Sequence, residues 1–551
     1  MNYLFIKKMN TTIKKIGSTL LLLAVLSASC KKSVLDETAI ASLSSEVNFK
    51  TKAGFDNAIT ALIYSARDEF NGEDLGRWYD MNLGTDIGTT GQEQTTNFRN
   101  YTTFLTPAAS AASSYWNWAY TQMILRANTI IAYAQKPESA SLFANDAEKN
   151  AYIAEARFFR AYTYNTLAEL YGGVPIVDRT YQSPKIDFTR STRDATYDFA
   201  RQDAEFASQW LPPTVSAAKE GHIVKGAADH LLTEIYINLK QYDKAIASAS
   251  AVINSGLYHL MTTRFGVNAN QQGDVYSDLF IEGNQNRSAG NMESIYTWQF
   301  ENLVTGGGGS TGRNNLIRGW TPALWNLKDP SGATGMVITD SLGRGVAYCR
   351  PTTYWLFSLW NGNSQNDIRN SKYNIRRTIY YNNPASTYFG KPVGRLVTQE
   401  DSMRNCYPYL RKVEGKPWNG DKTSGGTGKD FIVYRLAETY LLRAEAYLDK
   451  GDQTDAATDI NVVRARANAS LVAPSDVTID YILDERAREL ITEERRRLTL
   501  NRLGMLYDRV QKYQTRSDVK ATIQQFHNLY PIPQSAIDAN FGAKLEQNPG
   551  Y

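Results

Sequence analysis

A helical unit that occurs twice constrains this chain more than any other feature. Leu231-Leu-Thr-Glu-Ile-Tyr236 leads through Gln241-Tyr-Asp-Lys244 to Ala245-Ile-Ala247, and Leu442-Arg-Ala-Glu-Ala-Tyr447 leads through Asp452-Gln-Thr-Asp455 to Ala456-Ala-Thr458. Tyr236 aligns with Tyr447, and nine residues on Ala245 aligns with Ala456. Small residues let two antiparallel helices approach closely, while the tyrosine fills the gap between their turns. Apolar residues also recur at helical spacing over Phe55–Phe70 (Phe55, Ile59, Leu62, Ile63, Ala66), Tyr115–Tyr133, Tyr152–Tyr171 and Arg193–Trp210. Gly172-Gly-Val-Pro175 supplies a stop after the third of these. The period returns over Phe431–Arg466 and Tyr481–Arg502, before an extended tail punctuated by proline.

The doubled unit resembles a tetratricopeptide repeat, whose helix pairs bury their apolar faces only by stacking. The expected fold is mainly α: tetratricopeptide-like helical repeats in a superhelix, with a loop-rich aromatic insertion. Between Tyr258 and Asp430 the helical period fades and Gly, Asn, Tyr and Trp accumulate. The expected organisation is a signal peptide at 1–29, a polar tether at 30–52, an N-terminal helical part at 53–257, the insertion at 258–430 and C-terminal repeats with the tail at 431–551. The helical parts and the insertion make one unit, 53–551. Loops held on a rigid scaffold are where binding sites concentrate.

Composition removes several classes of function. The 34 Tyr, 20 Phe and 10 Trp exclude a chain that is mainly disordered. Sixty Lys and Arg against 56 Asp and Glu leave a net charge of +4 with no long basic run, which argues against nucleic acid. No stretch reaches the roughly 18–20 apolar residues of a spanning helix. At the N-terminus, Lys7, Lys8, Lys14 and Lys15 precede the apolar run Ile16–Ala28, and the small residues Ser27, Ala28 and Ser29 end on Cys30. That is an export signal. Its end resembles a bacterial lipoprotein box, with Leu26 four residues before the cysteine rather than three. Lipidation of Cys30 would tether the mature chain to a membrane; ordinary secretion is the alternative. Met9 is a possible second start. Cys349 and Cys406 either form one disulfide or are two buried thiols.

Each catalytic pattern lacks a required part. Gly308-Gly-Ser310-Thr-Gly312 has the spacing of a nucleophile elbow, but no strand precedes it and no helix follows. Its only downstream histidine is His527. The same glycines fail as a phosphate loop, because Arg313 and Asn314 stand where Lys and Ser or Thr are required. His222, His230, His259 and His527 show no zinc-ligand spacing, so neither metal nor cofactor is expected. Glu493-Glu-Arg-Arg-Arg497 reads as an exposed, salt-bridged helix face rather than an acid/base pair. The chain reads as a binding protein, not an enzyme. Trp116 and Trp118 lie at helical spacing with Tyr115 and Tyr120, so at least one should be core.

Several blocks together resemble the SusD/RagB family of outer-membrane nutrient-binding lipoproteins of Bacteroidetes. Glu155-Ala-Arg-Phe-Phe-Arg-Ala-Tyr-Thr-Tyr164, running into Leu170-Tyr-Gly-Gly-Val-Pro-Ile-Val177, is similar to that family's hallmark. Tyr115-Trp-Asn-Trp118 with Arg126-Ala-Asn-Thr129, and Lys225-Gly-Ala-Ala228, resemble its early helix and first repeat. Tyr434-Arg-Leu-Ala-Glu438, Leu442–Ala446 and Val463-Arg-Ala-Arg-Ala467 resemble its C-terminal repeats. Tyr530-Pro-Ile-Pro-Gln534 and Gln547-Asn-Pro-Gly-Tyr551 resemble its terminal signature. Glu494-Arg-Arg-Arg497-Leu departs from the family's usual Gly/His-Arg-Trp-Phe-Asp.

The resemblance implies a lipid-anchored protein of the outer membrane, facing the cell surface. Its repeat side would pack on a SusC-like TonB-dependent transporter, which it feeds with oligomeric substrate, a glycan or in some cases a peptide. The family's ligand residues lie outside the shared blocks, so candidates come from composition and position alone. They are Trp78, Tyr79 and Asp86 in the first loop, and Trp320, Trp325, Tyr354 and Trp355 in the insertion. The aromatic faces would stack on sugar rings and Asp86 would accept hydroxyls. A surface hydrolase using Ser310 and His527 is the reading of a different class.

Overall fold

The computed structural model describes residues 45–551, apart from 72–75, 93–96, 305, 309–312, 340–341, 363–365 and 397. Cys30, the export signal and Ser310 lie outside the described residues. The chain divides into two compact units, Met1–Gly54 and Phe55–Tyr551. The described part of the first holds a one-turn helix, Ser45–Asn48.

The structure is helix-rich. Its N-terminal helices are α1 (Lys52–Asn71), α2 (Ser110–Asn117), α3 (Leu125–Ala134), α4 (Asp146–Tyr171), α5 (Arg193–Trp210), α6 (Lys225–Asn238) and α7 (Tyr242–Ile253). After the insertion come α8 (Leu436–Lys450), α9 (Gln453–Arg466), α10 (Ile479–Leu490) and α11 (Arg496–Arg502). Local chemistry sets the ends of α4: the Asn145 side chain accepts from the Glu148 N–H at 2.9 Å, and Gly172 stops the helix at φ +75°.

α4 packs on α5, α5 on α6, α6 on α7, α7 on α8 and α8 on α9. The two similar units of the sequence, α6–α7 and α8–α9, are therefore neighbours in space although the insertion separates them along the chain. Ala245 and Ala456, the aligned small residues, are both completely buried. Ala437, Leu441, Ala444, Ile460, Val463 and Ile482 form one apolar cluster among α8, α9 and α10.

Three predicted helices differ in detail. Phe431–Arg435 is a strand, β2, paired antiparallel with β1 (Ser294–Trp298), with Ser294 opposite Arg435 and Trp298 opposite Phe431. Its β-branched and aromatic residues suit a pleated ribbon, and the pairing closes the insertion at its base. Tyr481–Arg502 is broken between α10 and α11, where Thr492 takes φ +73°. The helix through Tyr115–Tyr133 widens into a π turn over Trp118–Ile124. Trp116 and Trp118 are both buried, Trp116 against Tyr171 and Trp118 donating from Nε1 to the Ser65 carbonyl at 2.7 Å.

The Glu493–Arg497 run is salt-bridged, but it is not an exposed face. Arg496 and Arg497 are fully buried and Glu494 is 4% exposed. Glu494 takes Arg486 at 2.6 Å and Arg496 at 3.3 Å, and Arg495 reaches Glu69 at 3.2 Å. Arg497 donates to the Asp80 carbonyl at 2.8 Å and to the Tyr101 hydroxyl at 3.1 Å, with its guanidinium 3.7 Å from the Phe98 ring centroid. The run is a charged hub that joins Glu69, Asp80 and Tyr101 to the C-terminal helices. Cys349 and Cys406 are both free and buried, and burial pushes the Cys406 thiol up to about 12. Among the described residues no helix is long and apolar enough to cross a membrane.

Candidate ligand-binding cleft

Six of the seven candidate residues prove to be interior. Trp78, 2% exposed, sits in an aromatic box: Phe70 and Phe431 lie edge-on at 5.0 and 5.1 Å, and Trp298 at 5.7 Å. Tyr79 is buried with its hydroxyl donating to the Asn315 carbonyl at 2.7 Å, its ring lying so close to Gly319 that a Cβ there would meet it at 2.1 Å. Asp86 has no exposed surface and accepts Arg496 at 3.0 and 2.7 Å and Arg509 at 2.9 Å. Burial works to raise its pKa, but the two guanidiniums outweigh it and hold the carboxyl at about 2. It is a core counter-ion, with no oxygen left for a sugar.

Trp320 is fully buried. Tyr354 donates to Asp484 at 2.5 Å, and Trp355 donates from Nε1 to the Ala487 carbonyl at 2.7 Å. These two residues fasten the insertion to α10, so their faces are covered for a structural reason. Trp325 alone of the seven keeps part of its ring in solvent, its Nε1 donating to the Gly345 carbonyl at 2.8 Å.

His527 is 1% exposed, packed among Tyr101, Phe526 and Tyr551. Its Nδ1 accepts the Gln524 N–H at 2.8 Å, and burial and the nearby Arg497 push its pKa down to about 4. A ring enclosed this way is not available as the base that a Ser310 nucleophile would require. Among the described residues no cluster of His, Cys, Asp and Glu is arranged to hold a metal ion.

Among the described residues of the insertion lies an open cleft of about 1060 Å³. Three chain segments build it. The first is the turn at 267–272 and the helical turn Val275–Asp278 that follows, held by a capping box in which Asp274 accepts the Ser277 N–H at 2.8 Å. The second is the turn around Tyr373. The third is the segment from Arg411 to Gly420. Phe280 and Ile281 form an apolar floor, and the half-buried ring of Tyr373 stands at one side.

The polar groups of this cleft divide into two kinds. Some are engaged: Glu414 accepts Arg376 at 3.0 Å and Arg411 at 3.1 Å. Lys412 donates to Glu493 at 2.5 Å, and burial holds its pKa down at about 8 against that carboxylate's pull. Others are open. Asn268, Gln271 and Gln272 are exposed, and among the described residues their side-chain amides have no protein partner; the Tyr373 hydroxyl has none either. A floor that is apolar, one aromatic edge and several uncommitted amides suit a ligand carrying C–H faces and many hydroxyls.

None of these residues was among the sequence candidates. The available signal was Asn268-Ala-Asn-Gln-Gln272, a polar run between Phe265 and Tyr276 in an otherwise aromatic insertion.

Comparison with known proteins finds similar proteins of one kind. Residues 352–551 match the family model described as SusD family, and residues 35–237 match the model described as starch-binding associating with outer membrane. The starch-binding protein SusD of Bacteroides thetaiotaomicron is 27% identical, the match covering 74% of each chain. A SusD-like protein of Formosa agariphila is 24% identical over 88% of each chain. The fold is shared with surface glycan-binding protein A of Bacteroides thetaiotaomicron in complex with laminarihexaose, at a TM-score of 0.67 and 21% identity, covering 90% of this chain and 99% of that one. A laminarin-binding SusD-like protein gives a TM-score of 0.65 at 20% identity, over 91% of this chain and all of that one.

Proposed function

We propose, for a chain that belongs to the SusD/RagB family, a role in nutrient capture at the outer membrane. The mature protein is a lipoprotein anchored through Cys30 and facing the cell surface. It binds oligomeric nutrients, glycans first, and passes them to a SusC-like TonB-dependent transporter. The observation that carries the reading is the insertion cleft, where Tyr373 and the open amides of Asn268, Gln271 and Gln272 face solvent together. Relatives named for starch and laminarin binding support a carbohydrate ligand. The charged rim of Arg411, Glu414 and Lys416 supports a second reading, in which the same cleft holds a peptide.

Isothermal titration of the mature chain against neutral and acidic oligosaccharides and against oligopeptides tests both. Saturable binding of one glycan class, weakened about ten-fold or more by Tyr373→Ala through loss of one stacking contact, is the expected result. Binding of peptides alone moves the assignment to the second reading. Binding of glycans that Tyr373→Ala leaves unchanged removes the cleft as the site.

The anchor has its own test. Cys30→Ala is expected to release the chain from the membrane fraction of cells that lack the transporter. Retention of that variant in the membrane would refute the lipid tether.

A further inference from the structure

Three arginines of the insertion meet at one loop, and among the described residues no carboxylate forms a salt bridge with any of them. The Arg318 N–H donates to the Gly425 carbonyl at 3.1 Å. A Cβ on Gly425 would lie 2.8 Å from the Arg344 carbonyl oxygen and 3.0 Å from the Arg318 Cβ, and one on Gly426 would lie 2.0 Å from the Arg313 Cδ. Gly425 also takes φ +70°, so both glycines are required by the close approach of these arginines. The Arg344 guanidinium lies 4.9 Å from the Trp325 ring centroid. All four side chains are half-buried.

Their donors are almost all uncommitted. Each guanidinium carries five N–H groups. Among the described residues none of the three forms a salt bridge, and their side chains make a single hydrogen bond, a long one of 3.4 Å from Arg313 to the Ser424 carbonyl. The Arg313 Nε is sealed from solvent with no hydrogen-bond partner among the described residues. Neighbouring arginines differ: Arg376 and Arg411 reach Glu414, and Arg350 reaches the Ser402 carbonyl at 3.2 Å. Asp421, the carboxylate that acts on Arg313, already accepts from the Thr423 N–H at 2.9 Å and from its hydroxyl at 2.6 Å. Burial lowers the Arg318 pKa, and repulsion from Arg344 and Arg313 lowers it further, against a small opposing pull from Tyr79.

The cluster and the cleft share a loop. The Gly415–Gly420 limb walls the cleft, and the Trp418 N–H donates to the Gly426 carbonyl at 2.9 Å on the other limb. Half-buried cations held together without a salt-bridged partner repel one another, and an anionic ligand group relieves that repulsion while satisfying their forked donors. We infer that Arg313, Arg318 and Arg344, with Trp325 beside them, form a subsite for an anionic substituent of the captured oligosaccharide, a sulfate ester or a uronate carboxylate. The oligosaccharide part of this inference rests on the glycan reading above; the anion site itself does not.

Inorganic sulfate and acetate, each titrated against chloride at constant ionic strength, test the site directly. Saturable change in tryptophan fluorescence is expected in the wild type and not in Trp325→Phe, with affinity about ten-fold weaker in Arg344→Gln. Arg344 makes no hydrogen bond through its side chain among the described residues, so Arg344→Gln should keep the wild-type circular dichroism and urea midpoint. Arg318→Gln is the second variant, expected to act in the same direction. The absence of saturation by either ion in the wild type overturns the subsite.

A sulfated galactan oligosaccharide with its desulfated counterpart, and oligogalacturonate with its methyl ester, then distinguish the two substituents. Preference for the charged member of one pair, lost in Arg344→Gln, identifies the substituent. Equal affinity within both pairs overturns the subsite and leaves glycan capture standing. Ion binding with no binding of either charged oligosaccharide retains the anion site and overturns its assignment to a glycan substituent.

Discussion

At the scale of single residues, side-chain chemistry predicted capacity and the fold decided use. Trp78, Trp320 and Trp355 can each stack on a sugar, yet each has 2% or less of its surface exposed. An exposed loop was expected at Asp86, whose partners Arg496 and Arg509 come from the far end of the chain. Replacing Asp86 by Ala leaves two buried guanidiniums without their shared carboxylate, which should cost about 3–5 kcal/mol in urea unfolding. The pH dependence follows from the same pair of cations. The Asp86 pKa falls from 3.8 to about 2 in the folded state, so its stabilisation is complete above its unfolded value and is lost as pH falls through about 2. Wild-type stability should therefore drop between pH 4 and 2 more steeply than that of Asp86→Asn; parallel curves in urea melts across that range would contradict the assignment.

At the scale of elements, periodicity was a sound guide to helices and a weaker one to their interruptions. The two similar units even end alike. The Gln241 N–H donates to the Tyr236 carbonyl at 2.8 Å, and the Asp452 N–H donates to the Tyr447 carbonyl at 2.8 Å. The left-handed residue before each donor is Lys240 at φ +57° in one unit and Gly451 at φ +92° in the other. Only glycine adopts that conformation without a Cβ penalty. Lys240 is exposed, so Lys240→Gly should stabilise the protein by about 0.5–1 kcal/mol, read as a raised urea midpoint. No gain would mean that the lysine's side chain offsets its backbone strain. The strand Phe431–Arg435 was read as the start of a helix, because a short apolar run has no period of its own and its partner, Ser294–Trp298, lies far back in the chain.

At the scale of the whole molecule, the chain is held together by buried charge as well as by stacked helices. Arg497 binds the Asp80 carbonyl and the Tyr101 hydroxyl and lies against Phe98, fixing the loop that follows α1 to the start of α11. Arg497→Ala should cost about 3–5 kcal/mol, because it strips donors from several buried oxygens at once. Hydrogen exchange is expected to rise first in Met81–Leu83 and around Tyr101. Uniform acceleration across all helices would instead point to global destabilisation without a local anchor. The sequence departs from the usual SusD/RagB pattern at Glu494-Arg-Arg-Arg497, and the structure uses that stretch as an interior hub rather than a surface.

The mainly helical class, the doubled unit and the SusD/RagB resemblance were legible from the sequence, because periodicity, turn chemistry and ordered blocks are properties of neighbours along the chain. Exposure is not such a property. Whether Trp78 faces solvent depends on Phe431, whether Asp86 is free depends on Arg496, and whether Tyr373 lines a cleft depends on the segments around Gln271 and Arg411. Tertiary structure alone decided those, since burial and pairing are set by groups that folding brings together from hundreds of residues apart.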